Sequence, residues 1–143
     1  MHPHFPFPHG AVFALAFAAS MSVGIEWIVD ADGCDADALR DRTRECDVLD
    51  RIIGDLDLHV VGEPHVHTFG GAAGVTALYL LTESHLACHT YPERGIATFN
   101  LYCCSPRPAW PWREALVHAL GASNVTVRAA VRGAGGVAFD AIR

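Results

Sequence analysis

The sequence predicts an α+β fold: a two-layer sandwich in which helices pack on one face of a mainly antiparallel sheet. Short extended segments with apolar or alternating side chains follow one another through short turns, as expected for hairpin-linked strands. Two longer segments have apolar residues at three- and four-residue spacing, which is typical of helices with one buried side. The 143 residues are 51% hydrophobic and 18% charged, which fits one globular domain with a sizeable core.

The first half of the domain predicts a strand, a helix, a second strand and a glycine-rich loop. The helix is expected to break near Asp41 and Arg42 and to end at Gly54. The four predicted ranges are 24–32, 35–54, 56–62 and 64–74.

The second half predicts three closely linked strands, a Pro-rich connection, a second helix and a last strand. Pro111 suits the first turn of that helix, and Gly121 its end. The Gly- and Ala-rich residues 132–143 are expected to fray. The predicted strands are 75–81, 85–90, 96–104 and 124–131, and the helix is 111–120.

The charge pattern bears on possible partners. The net charge is −6, and no cluster of basic residues is present to contact phosphates, so a nucleic-acid surface is not expected. The acidic balance is compatible with a cationic small-molecule substrate.

The five cysteines are odd in number and suggest no disulfide framework. Reduced thiols in a cytoplasmic protein are the better interpretation.

The first 23 residues differ from the rest of the chain. Residues 11–23 have the length and apolarity of a signal-peptide core, but no Lys or Arg precedes them. They are too short for a transmembrane helix. We therefore expect residues 1–23 to be an extension, poorly ordered or arising from a mis-assigned start at Met1, with export the less favoured alternative. The domain is expected to cover residues 24–143.

The richest chemistry lies in residues 80–104, LLTESHLACHTYPERGIATFNLYCC. Three strands of one sheet bring a Glu83-Ser84 bond, two histidines four residues apart and a pair of cysteines into one small region. A serine, a histidine and a cysteine in this arrangement can support chemistry at a backbone carbonyl.

Thr-Glu-Ser-His-Leu-x-x-His-Thr-x-Pro-Glu, with a cysteine twenty residues after the serine, resembles the processing segment of bacterial S-adenosylmethionine decarboxylases. The resemblance implies a pyruvoyl-dependent enzyme that cuts itself between Glu83 and Ser84 into chains 1–83 and 84–143. Ser84 would become the pyruvoyl cofactor, which holds the substrate as a Schiff base and acts as electron sink. The sequence contains no Lys, so a pyridoxal-phosphate aldimine on a lysine is impossible.

The resemblance assigns roles to further residues. His89 would assist processing, and Cys104 would return a proton to the substrate α carbon after decarboxylation. Asp30 and Thr76 would support processing. No metal site is expected, although His65 and His67 could share one face of an extended segment.

For the substrate, the resemblance implies an adenine between Phe69 and Tyr91 and ribose hydroxyls on Glu93. S-adenosylmethionine is therefore the expected substrate, and its product would supply the aminopropyl group for spermidine synthesis. Tyr91 stands where the family usually has Trp, Arg94 replaces a usual aromatic residue and Asn100 a usual aspartate. The same chemistry on arginine or ornithine is consequently the first alternative.

Two non-catalytic alternatives remain at this stage. One is a metal-binding or interaction module, and the other is an inactive subunit that partners an active one. The family forms dimers with shared active sites, so the resemblance implies at least a homodimer. No membrane partner is expected. The metal-binding alternative would use His65, His67, His85, Cys88 and His89.

Overall fold

The structure is a computed structural model that describes residues 22–71, 73–133 and 139–142. The expected extension, residues 1–23, lies outside the described residues except for its last two. The described residues form seven strands and three α-helices. The strands β1 to β7 are Gly24–Asp32, His65–Thr68, Val75–Leu81, Ser84–Tyr91, Ile96–Cys103, Asn124–Arg132 and Phe139–Ile142. The helices α1 to α3 are Ala36–Arg40, Arg42–Asp55 and Trp112–Leu120.

All seven strands belong to one antiparallel sheet with the order β2-β3-β4-β5-β1-β6-β7. The helices pack against this sheet and bury a continuous apolar core. The predicted α+β two-layer sandwich is confirmed. Strand β4 lies between β3 and β5, and these three strands contain the whole processing motif.

The two faces of the sheet differ in burial. On the helix-covered face, alternate residues of the central strands are almost fully buried, for example Val29, Leu86 and Leu101. The opposite face, here called the open face, has no helix over it in the described structure. On it Leu78 and Leu80 are 46% and 57% exposed.

The predicted break in the first helix is confirmed and has a clear cause. Asp41 leaves the helical conformation with φ −82° and ψ 97°, and its carboxylate accepts hydrogen bonds from the backbone N–H groups of Thr43 and Arg44. Asp41 therefore ends α1 and caps α2. Asp35 caps α1 in the same way, through the N–H of Ala38.

The predicted strand over residues 56–62 is wrong. Asp57 has a φ of 50°, which a strand cannot accommodate. The carbonyls of Leu56 and Asp57 accept hydrogen bonds from the Arg107 guanidinium, so they do not enter a strand ladder. Only one isolated bridge, Val60 to Leu81, joins this segment to the sheet.

The predicted loop over residues 64–74 contains strand β2, which pairs with β3 at the edge of the sheet. Three of its four side chains are exposed, so its sequence lacks the apolar alternation that identifies a strand. Part of the tail expected to fray also pairs: the backbone of β7 hydrogen-bonds to β6.

No helix in the part of the chain that the structure describes is long and apolar enough to cross a membrane.

Candidate active site

The Glu83-Ser84 bond lies in the tight turn between β3 and β4. Leu81 pairs with Ser84 across this turn, and Ser84 also pairs with Cys103 of β5. Ser84 has a φ of 136°, a backbone conformation that residues with a side chain rarely adopt. Such a conformation costs about 1–3 kcal/mol and occurs mostly at functional sites. The structure therefore stores strain at the residue whose peptide bond the motif predicts to break.

The carbonyl of Glu83 has a well-placed hydrogen-bond donor. The backbone N–H of Cys104 donates to the Glu83 carbonyl oxygen at 2.7 Å. A backbone donor aimed at a carbonyl oxygen stabilises the negative charge that develops there when a nucleophile attacks the carbon. Cys104 thus contributes to this turn through its main chain, independently of its thiol.

The side chain of Glu83 is also fixed. Its carboxylate accepts the His59 backbone N–H at 3.1 Å, contacts His59 Nδ1 at 2.8 Å and lies 3.4 Å from Arg107 Nη2. Burial raises the pKa of Glu83, but the hydrogen bonds from the His59 side chain and backbone, with further ones in the turn, outweigh burial and lower the pKa to about 2. Glu83 is therefore ionised at neutral pH.

Of the two adjacent cysteines, only Cys104 is accessible. Cys103 is 1% exposed, and burial raises the pKa of its thiol to about 11. Cys104 lies just beyond β5 with an exposed side chain. Accessibility next to the Ser84 turn suits a proton donor, whereas Cys103 packs in the core.

His89 lies toward the other end of β4. Its Nδ1 is 2.9 Å from the Thr76 hydroxyl oxygen, and these two residues are direct cross-strand partners. The Thr76 hydroxyl therefore orients the imidazole. Asp30 lies two strands away, where it forms an ion pair with Arg128.

The predicted substrate residues surround one cavity of about 450 Å³. Phe69 and Tyr91 line it and are 51% and 40% exposed, and Glu93 lies in the turn that follows β4. Thr76 and His89 also line it. An aromatic pair, a carboxylate and an oriented histidine therefore share one concave surface.

Gly74 closes the loop beside this cavity. Its carbonyl accepts the Phe69 N–H at 2.9 Å, while a Cβ at position 74 would lie 2.3 Å from the Thr90 carbonyl oxygen. A side chain there would push the loop that carries Phe69 away from β4. The glycine thus lets the aromatic residue approach the strand.

Within one chain the structure does not bring Ser84 and His89 together. They are five residues apart on the same strand, which at about 3.3 Å per residue separates them by roughly 16 Å. Glu83, Ser84 and Cys104 form one group, and the cavity residues form another. No hydrogen bond can join a serine and a histidine at this separation.

The sequence reasoning missed two residues of the first group, His59 and Arg107. Both contact Glu83 from 24 positions away in the chain, and neither belongs to a recognisable motif. The only indication in the sequence is that Arg107 is the single arginine in a Pro-rich connection. Nothing in the sequence identifies Glu83 as its partner.

His85, which the metal-binding alternative would use, lies in a polar network on the open face. Asn100 Nδ2 donates to Glu26 at 2.7 Å, and His85 Nε2 lies 2.7 Å from Asn100 Oδ1. Because a carboxylate only accepts, the Asn100 amide must turn its NH₂ to Glu26 and its oxygen to His85. His85 therefore carries a proton on Nε2.

The metal-binding alternative finds no support in the geometry. His85 and His89 lie on the open face, whereas Cys88 is buried on the covered face against Glu45. Among the described residues, no group of three or more His, Cys, Asp or Glu is placed to hold a metal ion.

Fold and site together describe a class of protein: a two-layer α+β chain with a strained Glu-Ser bond and a polarised carbonyl, suited to acyl transfer on its own backbone. The model of the S-adenosylmethionine decarboxylase family matches residues 25–133. The chain belongs to this family, as the processing motif predicted.

Relatives and a solved structure agree with this assignment. The S-adenosylmethionine decarboxylase proenzyme of Caldicellulosiruptor saccharolyticus is 30% identical over 117 residues, covering 78% of this chain and 90% of that protein. The proenzyme of Thermococcus gammatolerans is 31% identical over 88 residues, 60% of this chain and 59% of that protein. That match spans less than two thirds of the relative's length.

The crystal structure of the adenosylmethionine decarboxylase from Aquifex aeolicus VF5 superposes with a TM-score of 0.67 at 26% identity. The match covers 78% of this chain and 92% of that chain.

Proposed function

We propose that the chain cleaves itself between Glu83 and Ser84, and that the resulting pyruvoyl enzyme decarboxylates S-adenosylmethionine. The observation that carries this proposal is the turn itself. There the serine has a φ of 136° and the preceding carbonyl oxygen accepts the Cys104 N–H at 2.7 Å.

Cleavage begins when Ser84 Oγ attacks the Glu83 carbonyl carbon, and the oxyanion that forms is held by the Cys104 N–H. The C–N bond breaks, its nitrogen takes a proton, and Glu83 becomes an ester of the Ser84 hydroxyl. Loss of the Ser84 α proton then breaks the ester and releases the first chain with a main-chain carboxylate at Glu83. Dehydroalanine remains at position 84. Water converts dehydroalanine to the pyruvoyl group and releases ammonia.

The residues around Ser84 fit this group. The open Cys104 side chain lies beside the turn, and the ionised Glu83 side chain keeps the new chain end in place through His59 and Arg107. When present, a pyruvoyl carbonyl accepts the electron pair that remains on the substrate when CO₂ leaves. Cys104 then returns a proton to the substrate α carbon.

The cavity residues support S-adenosylmethionine as the substrate. Phe69 and Tyr91 offer aromatic faces to an adenine and attract a sulfonium cation, and Glu93 offers acceptors to ribose hydroxyls. Arg94 and Asn100, whose identities suggested arginine or ornithine, are not among the described residues that line this cavity. Asn100 is instead bonded to His85 and Glu26.

A second copy of the chain completes the site in this proposal. Roughly 16 Å separates Ser84 from His89 along β4, so His89 cannot serve the serine of its own chain. The open face with its exposed Leu78 and Leu80 is the surface on which two copies would meet. The β3–β4 turn of each copy would then lie against the His89 cavity of the other copy.

The proposal extends to biological role and location. The decarboxylated product would supply aminopropyl groups for spermidine synthesis. A reducing cytoplasm suits the five cysteines, all of which are free in the structure.

Release of labelled CO₂ tests the substrate directly. Purified protein is incubated in parallel with S-adenosylmethionine, arginine and ornithine, each carrying a labelled carboxyl group. We expect S-adenosylmethionine to have much the highest kcat/KM. Release from arginine or ornithine alone would reject the substrate while keeping the reaction, and no release from a cleaved protein would favour the inactive-subunit alternative.

A further inference from the structure

Arg107 uses its guanidinium to join three segments around the scissile bond. Nε donates to the Leu56 carbonyl at 2.7 Å, and Nη2 donates to the Asp57 carbonyl at 3.0 Å and to Glu83 Oε1 at 3.4 Å. Nη1 donates to Ser105 Oγ at 3.1 Å and to the Pro106 carbonyl at 3.0 Å. The arginine thus connects the segment after α2, the β3–β4 turn and the loop that follows Cys104.

The position of Arg107 affects the hydrogen bond that polarises the scissile carbonyl. The donor of that bond is the Cys104 N–H, at the start of the loop that Arg107 holds, and the acceptor belongs to Glu83, whose side chain Arg107 also contacts. The planar fork of the guanidinium fixes the donor segment and the acceptor segment of this hydrogen bond relative to each other. A single point charge cannot do this.

His59 holds the same carboxylate through two further contacts. Its backbone N–H and its imidazole both contact Glu83, at 3.1 Å and 2.8 Å. The charged groups that act on this imidazole are Glu83, Asp57 and Arg107. The hydrogen bond to Glu83 raises the pKa of His59, which keeps the imidazolium form to higher pH than for a free histidine.

We infer that His59 and Arg107 are positioning residues for self-cleavage: they anchor the Glu83 side chain so that its carbonyl stays against the Cys104 N–H while Ser84 attacks. This inference rests on the proposed self-cleavage and deepens it. Neither residue touches the reacting atoms, so each acts through Glu83. The same anchors retain Glu83 after it becomes a chain terminus.

Cleavage kinetics of newly made protein test this role. The chain is synthesised in a cell-free system with labelled cysteine, which marks both products because Cys34 and Cys88 lie on opposite sides of the scissile bond. Conversion to two chains is then followed over time on denaturing gels. Matched controls are Arg113→Ala and His118→Ala, which alter exposed residues of α3.

For Arg107→Ala and Arg107→Lys we expect cleavage to slow by up to about 100-fold, the effect of misplacing reacting groups by about 1 Å. His59→Gln should slow it by roughly tenfold because the backbone N–H of residue 59 remains. Both controls should cleave at the wild-type rate.

The pH profile separates positioning from simple structural support. A raised His59 pKa means that the imidazolium is present at low pH and is lost as pH rises through that pKa. The ratio of the wild-type rate to the His59→Gln rate should therefore be largest at low pH and fall as pH rises. A ratio that is constant with pH overturns the role of His59.

Wild-type rates in Arg107→Lys and His59→Gln overturn the inference while the proposed self-cleavage stands. A wild-type chain that never cleaves overturns both. Circular dichroism of each variant serves as the folding check: an Arg107→Lys protein that is folded as the wild type is, yet cleaves slowly, supports the inference.

Discussion

The two ends of strand β4 differ in how firmly the protein holds its polar groups. At the Ser84 end, the neighbouring Glu83 has its carbonyl and its carboxylate both bound, and its side chain is only 9% exposed. At the other end, Tyr91 and the nearby Phe69 are 40% and 51% exposed around a cavity of about 450 Å³.

The difference fits the roles proposed for the two ends. Breaking a peptide bond requires reacting atoms in a fixed geometry, whereas binding a substrate requires unoccupied space and side chains that can adjust. Roughly 16 Å separates the two ends, so one chain contains both parts without joining them. Two copies in opposite orientation would join them.

The largest effect is expected for self-cleavage in mixed dimers, in which the two copies carry different substitutions. Ser84→Ala alone cannot form an ester and stays whole, and His89→Ala alone should cleave very slowly. Refolded together, the two variants should yield cleaved His89→Ala chains, because each such chain meets an intact His89 on its partner. Denaturing electrophoresis of the mixture measures this rescue.

If His89 acts on the serine of its own chain, mixing changes nothing. The control is His89→Ala mixed with itself at the same total concentration, which should show no rescue.

Cys104→Ala should separate the two functions of this residue. Cleavage should continue, because the backbone N–H that binds the Glu83 carbonyl survives the substitution. Decarboxylation should fall by about 10²–10⁴-fold, the usual contribution of a positioned proton donor. Cys46→Ala, which alters a half-buried cysteine of α2, is the matched control. Unchanged turnover in Cys104→Ala would remove the thiol from the mechanism.

Substitutions in the cavity at the Tyr91 end of β4 should have smaller effects. Removing one aromatic wall with Phe69→Ala should cost about 1 kcal/mol or more, roughly a fivefold or larger loss of kcat/KM for S-adenosylmethionine. Glu93→Gln should weaken this nucleoside substrate, whereas Glu63→Gln, at an exposed carboxylate outside the cavity, should not. Neither cavity substitution should change the extent of cleavage, and a loss of cleavage would contradict the division between the two ends.

The smallest effect is expected for the pH dependence of stability, which a buried carboxyl beneath the middle of β4 controls. Glu45 is fully buried, with one oxygen 3.6 Å from Cys88 Sγ and the other without a partner. Burial raises its pKa to about 7 although the Cys88 contact opposes this. The folded state therefore prefers neutral Glu45. Its contribution to stability is fully present below pH 4.5 and is lost as pH rises from there through about 7.

Urea unfolding at several pH values, in a Ser84→Ala background that keeps one chain, measures this loss. The free energy of unfolding should fall by about 1 kcal/mol per pH unit between the ordinary Glu pKa of 4.5 and the folded-state pKa of about 7, and should level off above it. Glu45→Gln should flatten this dependence, whereas Glu114→Gln at an exposed position should leave it unchanged. An equally steep fall in Glu45→Gln would mean that another group is responsible.

How far the sequence predicts this molecule depends on whether local or distant contacts decide each feature. The central strands are buried on one face, so their apolar residues reveal them, and Asp41 marks the helix break through its own capping bonds. Residues 56–62 look equally strand-like, but a guanidinium about fifty positions away takes two of their carbonyls. Strand β2 is mostly exposed and has no apolar pattern to detect.

The site shows the same limit. The motif identifies Ser84, His89 and Cys104 by spacing, but the contacts of His59 and Arg107 with Glu83 depend on the folded arrangement of three separate segments. The separation of Ser84 and His89, by contrast, follows from their five-residue spacing once both residues are placed on strand β4.

Intact mass spectrometry of the purified protein tests the central claim most directly. We expect two polypeptides, the first ending at Glu83 and the second beginning at residue 84 with its amino group replaced by a ketone, and one intact chain for Ser84→Ala. A wild-type protein that remains a single chain of unchanged mass after long incubation would contradict self-cleavage at this turn.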